Sequence, residues 1–246
     1  MSRLKFILIL CAVAGLGWLG LQFAQWRAGK LALLQPPAVS GSLAGGSEPV
    51  DVSAPAEPAT LLLFGDSRVR QWAPLPARPY PIAVEGFPGE TAIQLAGRFP
   101  SVLRAHRPSE VIVQMGVNDA VAASVAGRAR REQALNDSLA AFDRIAADSR
   151  AAGVRLVILK VLPPVRPDLA RRLVYRSIVE DYVAALNAAL PGIAARHGAT
   201  VSDPLPLITG DAGAVPEAYR RDALHFTPAA YLAMGDLLPP TLEVRG

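Results

Sequence analysis

Three residues of the chain have the types and the spacing that acyl transfer requires: Ser67, Asp222 and His225. Ser67 ends the run Phe-Gly-Asp-Ser at 64–67, and Asp222 precedes His225 by three residues near the C-terminus. A serine becomes a strong nucleophile when a histidine removes its proton and a carboxylate orients that histidine. We therefore predict that Ser67 is the nucleophile, His225 the general base and Asp222 the orienting acid. Their order in the chain does not decide this, because triads occur in several orders.

Two further stretches offer hydrogen-bond donors for the oxyanion that such a reaction creates. Gly89 closes a Gly-Phe-Pro-Gly turn, where a residue without a side chain presents an unobstructed backbone N–H. Asn118 lies in the run Gly-Val-Asn-Asp at 116–119, and its side-chain amide is a second donor. The backbone N–H of Ser67, at the start of a predicted helix, is a third. We predict an oxyanion hole of Ser67, Gly89 and Asn118.

Each stretch also has a purely structural interpretation. Ser67 can be the N-cap of a helix, and the region around Asn118 can be an Asx-turn at the end of a strand. His225 alone would more often be a structural histidine. The stretches together, at matching positions of one fold, favour a site. Asp66 and Asp119, which flank predicted site residues, are interpreted as structural supports.

Short apolar runs alternate with amphipathic segments from residue 60 onward. The runs that predict buried strands are 60–64, 81–84, 111–115, 154–162 and 200–202. Helical patterns separate the last three runs, and Thr227 followed by Pro228 is typical of an N-cap and a first-turn proline. This alternation predicts a three-layer α/β/α fold with a parallel, flavodoxin-like sheet of about five strands. Ligand sites lie at the carboxyl ends of such strands, so Ser67, Gly89 and Asn118 are expected at one edge.

In this order the motifs resemble those of the SGNH hydrolases, also called the GDSL esterase/lipase family. Gly-Asp-Ser at 65–67 matches the first block of that family, 86–91 resembles the second, 116–119 matches the third and 222–225 resembles the fifth. The resemblance covers about residues 60–240. It implies the SGNH hydrolase fold and carboxylic ester hydrolysis through an acyl-serine. It also implies the triad and oxyanion residues named above, with no metal and no organic cofactor.

Two residues depart from the family pattern. Arg68 follows the serine where the family often has Leu, and Glu85 stands where an Asn is frequent nearby. Both are expected to border the site and to tune its substrate preference.

The first 30 residues predict a membrane helix. Arg3 and Lys5 precede an apolar run over residues 6–21, which as a helix would be about 24 Å long. Extension to Trp26 brings it to the ~30 Å of a hydrocarbon core. No convincing cleavage site follows, which favours an uncleaved signal anchor over a cleaved signal peptide. We predict an anchor at 1–30, a disordered Pro/Gly/Ser/Ala linker at 31–59 and a hydrolase domain at 60–246.

Composition excludes several other classes of protein. The 25 basic and 21 acidic residues leave a net charge of only +4, and no dense basic stripe with aromatic residues indicates nucleic-acid binding. Cys11 is the only cysteine, so neither an intramolecular disulfide nor a cysteine metal site can form. The sequence carries no signature of a particular oligomeric state.

The resemblance leaves the substrate open among small-molecule, glycan and lipid esters. No long apolar segment is available to cap an acyl-chain pocket, which favours short acyl groups such as O-acetyl on envelope or exported glycans. The alternatives are a lysophospholipase or thioesterase, an O-acyltransferase with the same triad, and a catalytically silent binding module. The expected location is the cytoplasmic membrane, single-pass, with the domain facing the periplasm, or a secreted or periplasmic form if the N-terminus is cleaved.

Overall fold

Five parallel strands form one sheet in the order β2-β1-β3-β4-β5. The computed structural model describes residues 3–34, 60–164, 176–209 and 214–242. The strands are β1 (Leu61–Gly65), β2 (Ile82–Gly86), β3 (Glu110–Gln114), β4 (Arg155–Leu159) and β5 (Thr200–Ser202). This is the strand order of flavodoxin-like folds, and it confirms the predicted fold class.

Helices cover both faces of this sheet. Those of the described residues are α1 (Arg3–Leu33), α2 (Ser67–Arg70), α3 (Ala92–His106), α4 (Val117–Ser124), α5 (Arg128–Ala151), α6 (Arg176–His197), α7 (Leu205–Thr209) and α8 (Pro228–Ala233). Successive side chains of β1 point to opposite faces. Leu62 and Phe64 pack in the core with α3, α5 and α6, whereas Leu61 and Leu63 pack with α2, α7 and α8. Because both faces are buried, the strand is an unbroken apolar run.

The strands end at slightly different residues from those predicted. The apolar run at 154–162 continues beyond β4, because the backbone of Val161 leaves the sheet and pairs with the side-chain amide of Asn187 on α6. Strand β2 extends past residue 84 to Gly86, which is in register with Gly65 of β1. The apolar pattern detects burial, whereas pairing with a neighbouring strand decides where a strand ends.

Two glycines allow close packing at the carboxyl ends of β1 and β2. A Cβ on Gly65 would lie 1.8 Å from the backbone oxygen of Gln114 on β3. A Cβ on Gly86 would lie 2.2 Å from the backbone nitrogen of Arg70 on α2. Only residues without a side chain therefore let α2 and the neighbouring strands approach this closely at the edge of the sheet.

Thr227 and Pro228 begin α8, as the sequence predicts. Thr227 occupies the N-cap position and Pro228 the first helical turn. The Thr227 hydroxyl does not cap the helix, however, and donates at 2.7 Å to the carbonyl of Ala218. The position was predicted correctly, but the side chain connects α8 to the 3₁₀ turn at Glu217–Tyr219 instead.

The N-terminal helix is longer than predicted. Helix α1 ends at Leu33, so residues 31–33 are helical and do not belong to a disordered linker. Residues 35–59, which contain the rest of the predicted linker, lie outside the described residues. A 31-residue helix is about 46 Å long, which exceeds the ~30 Å of a hydrocarbon core.

The C-terminal end of α1 packs against the domain. The described side chains before Trp26 are exposed, including Trp18 at 62% and Leu19 at 59%, whereas Leu33 is partly buried. The guanidinium Nε of Arg27 donates at 3.3 Å to the carbonyl of Val125, just beyond the end of α4. Helix α1 therefore has an exposed apolar portion followed by a portion that contacts α4.

One helix of the described residues is long and apolar enough to cross a membrane, the segment Ile178–His197 within α6. Its Val183, Leu186 and Leu190 are buried in the core beside the sheet. Contacts with α5 and α4 cover its apolar face, as expected for a core helix of the domain.

Candidate active site

The structure brings Ser67, His225 and Asp222 together in one chain of hydrogen bonds. Ser67 is the first residue of α2, directly after the carboxyl end of β1. Its Oγ lies 3.0 Å from Nε2 of His225. On the other side of the ring, Nδ1 of His225 lies 2.8 Å from Oδ2 of Asp222. This is the arrangement in which a histidine can take a proton from a serine while a carboxylate stabilises the imidazolium.

Asp222 also organises the loop that carries His225. Its Oδ1 accepts hydrogen bonds from the backbone N–H of Leu224 at 2.7 Å and of His225 at 2.9 Å. Partial burial pushes the pKa of Asp222 upward, but these two N–H groups and His225 outweigh it and hold the pKa below its usual range. The stabilisation from its charge is therefore complete above the usual pKa and is lost only as the pH falls below it.

Asp66, and not Ser67, caps helix α2. Its Oδ1 accepts a hydrogen bond at 2.9 Å from the backbone N–H of Arg68. The Ser67 hydroxyl is thereby left for His225, which the interpretation of Ser67 as an N-cap would not allow. Asp66 is 1% exposed, and this burial raises its pKa while the nearby charge of Arg68 opposes the rise.

The predicted oxyanion donors follow the strands on either side of β1. Gly89 has φ +81°, a left-handed conformation that favours glycine, within the turn between β2 and α3. Asn118 lies in the first turn of α4, and its Nδ2 donates at 2.9 Å to the carbonyl of Glu90. The two stretches are thus connected directly. One N–H of the Asn118 amide is used in this bond, and the amide carries a second N–H.

A family model matches most of the chain. The model of the GDSL-like lipase/acylhydrolase family matches residues 51–233. The chain belongs to this family. It is therefore a serine ester hydrolase, which confirms the resemblance seen in the motifs. A comparison with curated proteins finds no match.

Several solved structures share the fold of this hydrolase. A GDSL-like lipase from Bacteroides thetaiotaomicron is 18% identical, with 72% of this chain and 84% of that chain covered and a TM-score of 0.54. The α/β hydrolase LAE5 from the metagenome of Lake Arreo is 16% identical, with coverage of 72% and 92% and a TM-score of 0.55. The psychrotrophic esterase EstA from Pseudoalteromonas is 15% identical, with coverage of 72% and 92% and a TM-score of 0.51. At these identities the likeness shows the fold.

Asp119 joins four helices of the hydrolase beside the site. Its carboxylate accepts from the backbone N–H of Ala92, at the start of α3, at 2.9 Å and from the Ser138 hydroxyl on α5 at 3.0 Å. Ser138 in turn lies 2.9 Å from the hydroxyl of Tyr182 on α6. Burial raises the pKa of Asp119 to about 6, although these hydrogen bonds oppose the rise. These contacts are those of a structural support.

The raised pKa of Asp119 predicts a pH-dependent contribution to stability. The folded state binds the proton of this carboxyl more tightly than the unfolded state, so its favourable contribution is complete below pH 4 and is lost as the pH rises through 6. We expect the free energy of unfolding, relative to an Asp119→Asn variant, to fall by about 2 kcal/mol between pH 4 and 7.5. Urea unfolding of both proteins across this range measures it. A difference that stays constant with pH would contradict the prediction.

Two of the three histidines pair with carboxylates away from the triad. Nε2 of His106, the last residue of α3, lies 2.8 Å from Oε1 of Glu85, and Nε2 of His197 lies 3.0 Å from Asp143. Glu85 was predicted to border the site, but its carboxylate is engaged by His106. Among the described residues, no group of three or more His, Cys, Asp or Glu is placed to hold a metal ion.

Arg68 differs from its prediction in one respect. It borders the site, as expected, because it contacts the residues on both sides of His225, but a side chain only 1% exposed cannot tune the substrate by direct contact. Its guanidinium donates to two backbone carbonyls inside the protein, those of Leu224 and Leu162. An arginine in the first turn of a helix at a sheet edge looks exposed in the sequence, and nothing in the local pattern indicated that it is buried.

Proposed function

We propose that Ser67, His225 and Asp222 form the catalytic triad of this hydrolase. The observation that carries the proposal is the chain of two hydrogen bonds from Ser67 Oγ through the His225 ring to Asp222. His225 Nε2 takes the serine proton as Oγ attacks the ester carbonyl carbon, and then gives that proton to the departing alcohol. Water, deprotonated by His225, attacks the acyl-serine and releases the carboxylic acid and the free serine.

The oxyanion of each tetrahedral intermediate is held by the backbone N–H groups of Ser67 and Gly89 and by the side-chain amide of Asn118. The N–H groups of a first helical turn have no acceptor inside the helix, which leaves that of Ser67 for a ligand. The hydrogen bond from Asn118 to Glu90 supports its role, because it fixes the orientation of the amide before substrate arrives. Donors oriented in advance stabilise developing charge without a reorganisation cost.

Short acyl groups, such as O-acetyl on envelope or exported glycans, are the substrate that we propose. Three of the connections at this edge are short: residue 66 between β1 and α2, 87–91 between β2 and α3, and 115–116 between β3 and α4. None of these is long enough to build a deep acyl-chain pocket. The turn beside Gly89 is also charged, because both carboxylate oxygens of Glu90 accept from Nε of Arg98, at 2.7 and 2.8 Å. A polar alcohol such as a sugar suits these surroundings better than a lipid tail.

The hydrolase domain is proposed to stand on the periplasmic side of the cytoplasmic membrane, anchored by α1. Arg27 contacts Val125, beyond the C-terminal end of α4, whereas Leu33 lines a small cavity with Asp119 near the N-terminal end of α4. Helix α1 therefore approaches the domain from the end of α4 that is remote from Asn118. With α1 as the anchor, this orientation would turn the catalytic edge away from the bilayer, which supports an exported glycan over a phospholipid of the same membrane.

A substrate panel tests this proposal on the full-length protein in detergent. We expect the highest kcat/KM on acetyl esters and on acetylated glycan. Among nitrophenyl esters, kcat/KM should fall about tenfold or more from the acetyl ester to esters with much longer acyl chains. Lysophospholipid and acyl thioester should be poor substrates, and the Ser67→Ala variant gives the background. A preference for long chains or lysophospholipid would overturn the substrate assignment. Acyl transfer to an added glycan acceptor in place of water would identify an acyltransferase.

A further inference from the structure

A fully buried cation follows the predicted nucleophile. Arg68 is 1% exposed, and a buried guanidinium is costly unless acceptors and opposite charge replace its lost water. Its burial lowers its pKa, and the charge of Asp66 opposes that change. A cation in this position must therefore be held by specific partners.

Those partners lie on both sides of His225. Nε of Arg68 donates at 2.9 Å to the carbonyl of Leu224, the residue before His225. The guanidinium carbon lies 5.2 Å from the ring centroid of Phe226, the residue after His225, at a cation–π distance. Nη1 donates at 2.6 Å to the carbonyl of Leu162, beyond the end of β4. Arg68 thus connects α2 to the residue on either side of the predicted base, through the backbone of Leu224 and the ring of Phe226, and to the segment that follows β4.

The other polar contacts of the 222–226 loop lie mostly within it. Asp222 accepts from the N–H groups of Leu224 and His225, and the carbonyl of His225 accepts from the N–H of Arg221 at 3.0 Å. Beyond the loop, the Arg221 side chain reaches the partly buried Gln71 only at 3.5 Å. These internal bonds define the shape of the loop, but they do not define its distance from α2.

We propose that Arg68 is a positioning residue that holds His225 at hydrogen-bonding distance from Ser67 by tying the 222–226 loop to α2. The inference rests on the proposed catalytic roles of Ser67 and His225. Helix α2 therefore carries both the proposed nucleophile, Ser67, and the residue that positions the proposed base, Arg68. Leu, the residue expected after the serine, could supply neither of the hydrogen bonds to Leu224 and Leu162.

The test replaces Arg68 by Met, which has a similar length but neither charge nor donors, and by Lys, which keeps the charge and a donor. For Arg68→Met we expect kcat on a nitrophenyl acetate to fall about 10²-fold, because small misplacements of a catalytic group have effects of this size. KM should stay within about twofold, because no contact with the substrate is removed. The kcat of Arg68→Lys should be about tenfold higher than that of Arg68→Met. The rate of fluorophosphonate labelling at Ser67 should fall in parallel with kcat.

Arg70→Met is the matched control, because Arg70 lies on the same helix with an exposed side chain. All assays are run well below the thermal unfolding midpoint of each variant, with active-site titration to count folded enzyme. A folded Arg68→Met variant with wild-type kcat would overturn the inference, as would a loss explained entirely by unfolded protein. If Arg68→Met does not fold, Arg68→Gln decides the question by the same criteria. A wild-type protein without Ser67-dependent hydrolysis would instead refute the proposed triad.

Discussion

Replacing Ser67 by alanine is expected to lower kcat for nitrophenyl acetate by about 10⁴–10⁶, to the background rate. The variant removes the oxygen that attacks the carbonyl, and the oxyanion donors alone cannot provide a nucleophile. Steady-state hydrolysis and covalent labelling with a fluorophosphonate measure the effect, and both should disappear together.

The fold should survive this substitution. Helix α2 is capped by Asp66, so loss of the Ser67 hydroxyl leaves its N-terminus intact. Ser101→Ala is a suitable control, because the Ser101 hydroxyl donates to a backbone carbonyl on the exposed side of α3 and lies outside the site. Persistent labelling of the folded Ser67→Ala variant would exclude Ser67 as the nucleophile.

Replacing Asp222 by asparagine is expected to lower kcat by about 10⁴. The oxygen of Asn can still accept from the N–H groups of Leu224 and His225, so the loop should keep its shape. The amide NH₂ group would then face Nδ1 of His225. Because Nδ1 must accept a hydrogen bond from this group, the neutral ring carries its proton on Nε2. A ring protonated on the side facing Ser67 cannot take the serine proton.

Comparison with Asp222→Ala separates the two roles of this carboxylate. The alanine variant also loses the two backbone hydrogen bonds of 2.7 and 2.9 Å, so it should be less stable than the asparagine variant as well as inactive. Thermal unfolding and steady-state kinetics on both variants measure this. An Asp222→Asn enzyme that keeps kcat within about tenfold of wild type would show that Asp222 does not orient the base.

Much of the fold was predictable because its signals are local. The buried run that forms β1 and the turn that contains Gly89 are visible in the sequence, and the rule for parallel sheets places the ends of β1, β2 and β3 at one edge. The spacing of Asp222 and His225 indicated that both could lie in one loop. The closed hydrogen-bond chain to Ser67 depends on tertiary packing, which no local pattern encodes.

The residues that differed from prediction depend on distant partners. Arg68 is buried because backbone carbonyls about 94 and 156 positions away accept its hydrogen bonds. Arg27 follows the predicted membrane segment, and its contact with the carbonyl of Val125 is equally invisible in the local sequence. Charge and hydropathy describe each residue alone, so they cannot reveal such pairings.

The loop from Asp222 to His225 holds the proposed orienting acid and the proposed base in a single unit. Its carboxylate binds both the ring and the backbone of the same four-residue segment. Any displacement of the loop would therefore carry the assembled pair away from Ser67 without separating its members. Moving the loop away would break the 3.0 Å contact with Ser67 and the contacts of Arg68 with Leu224 and Phe226, and restoring activity would require only re-docking the same intact part.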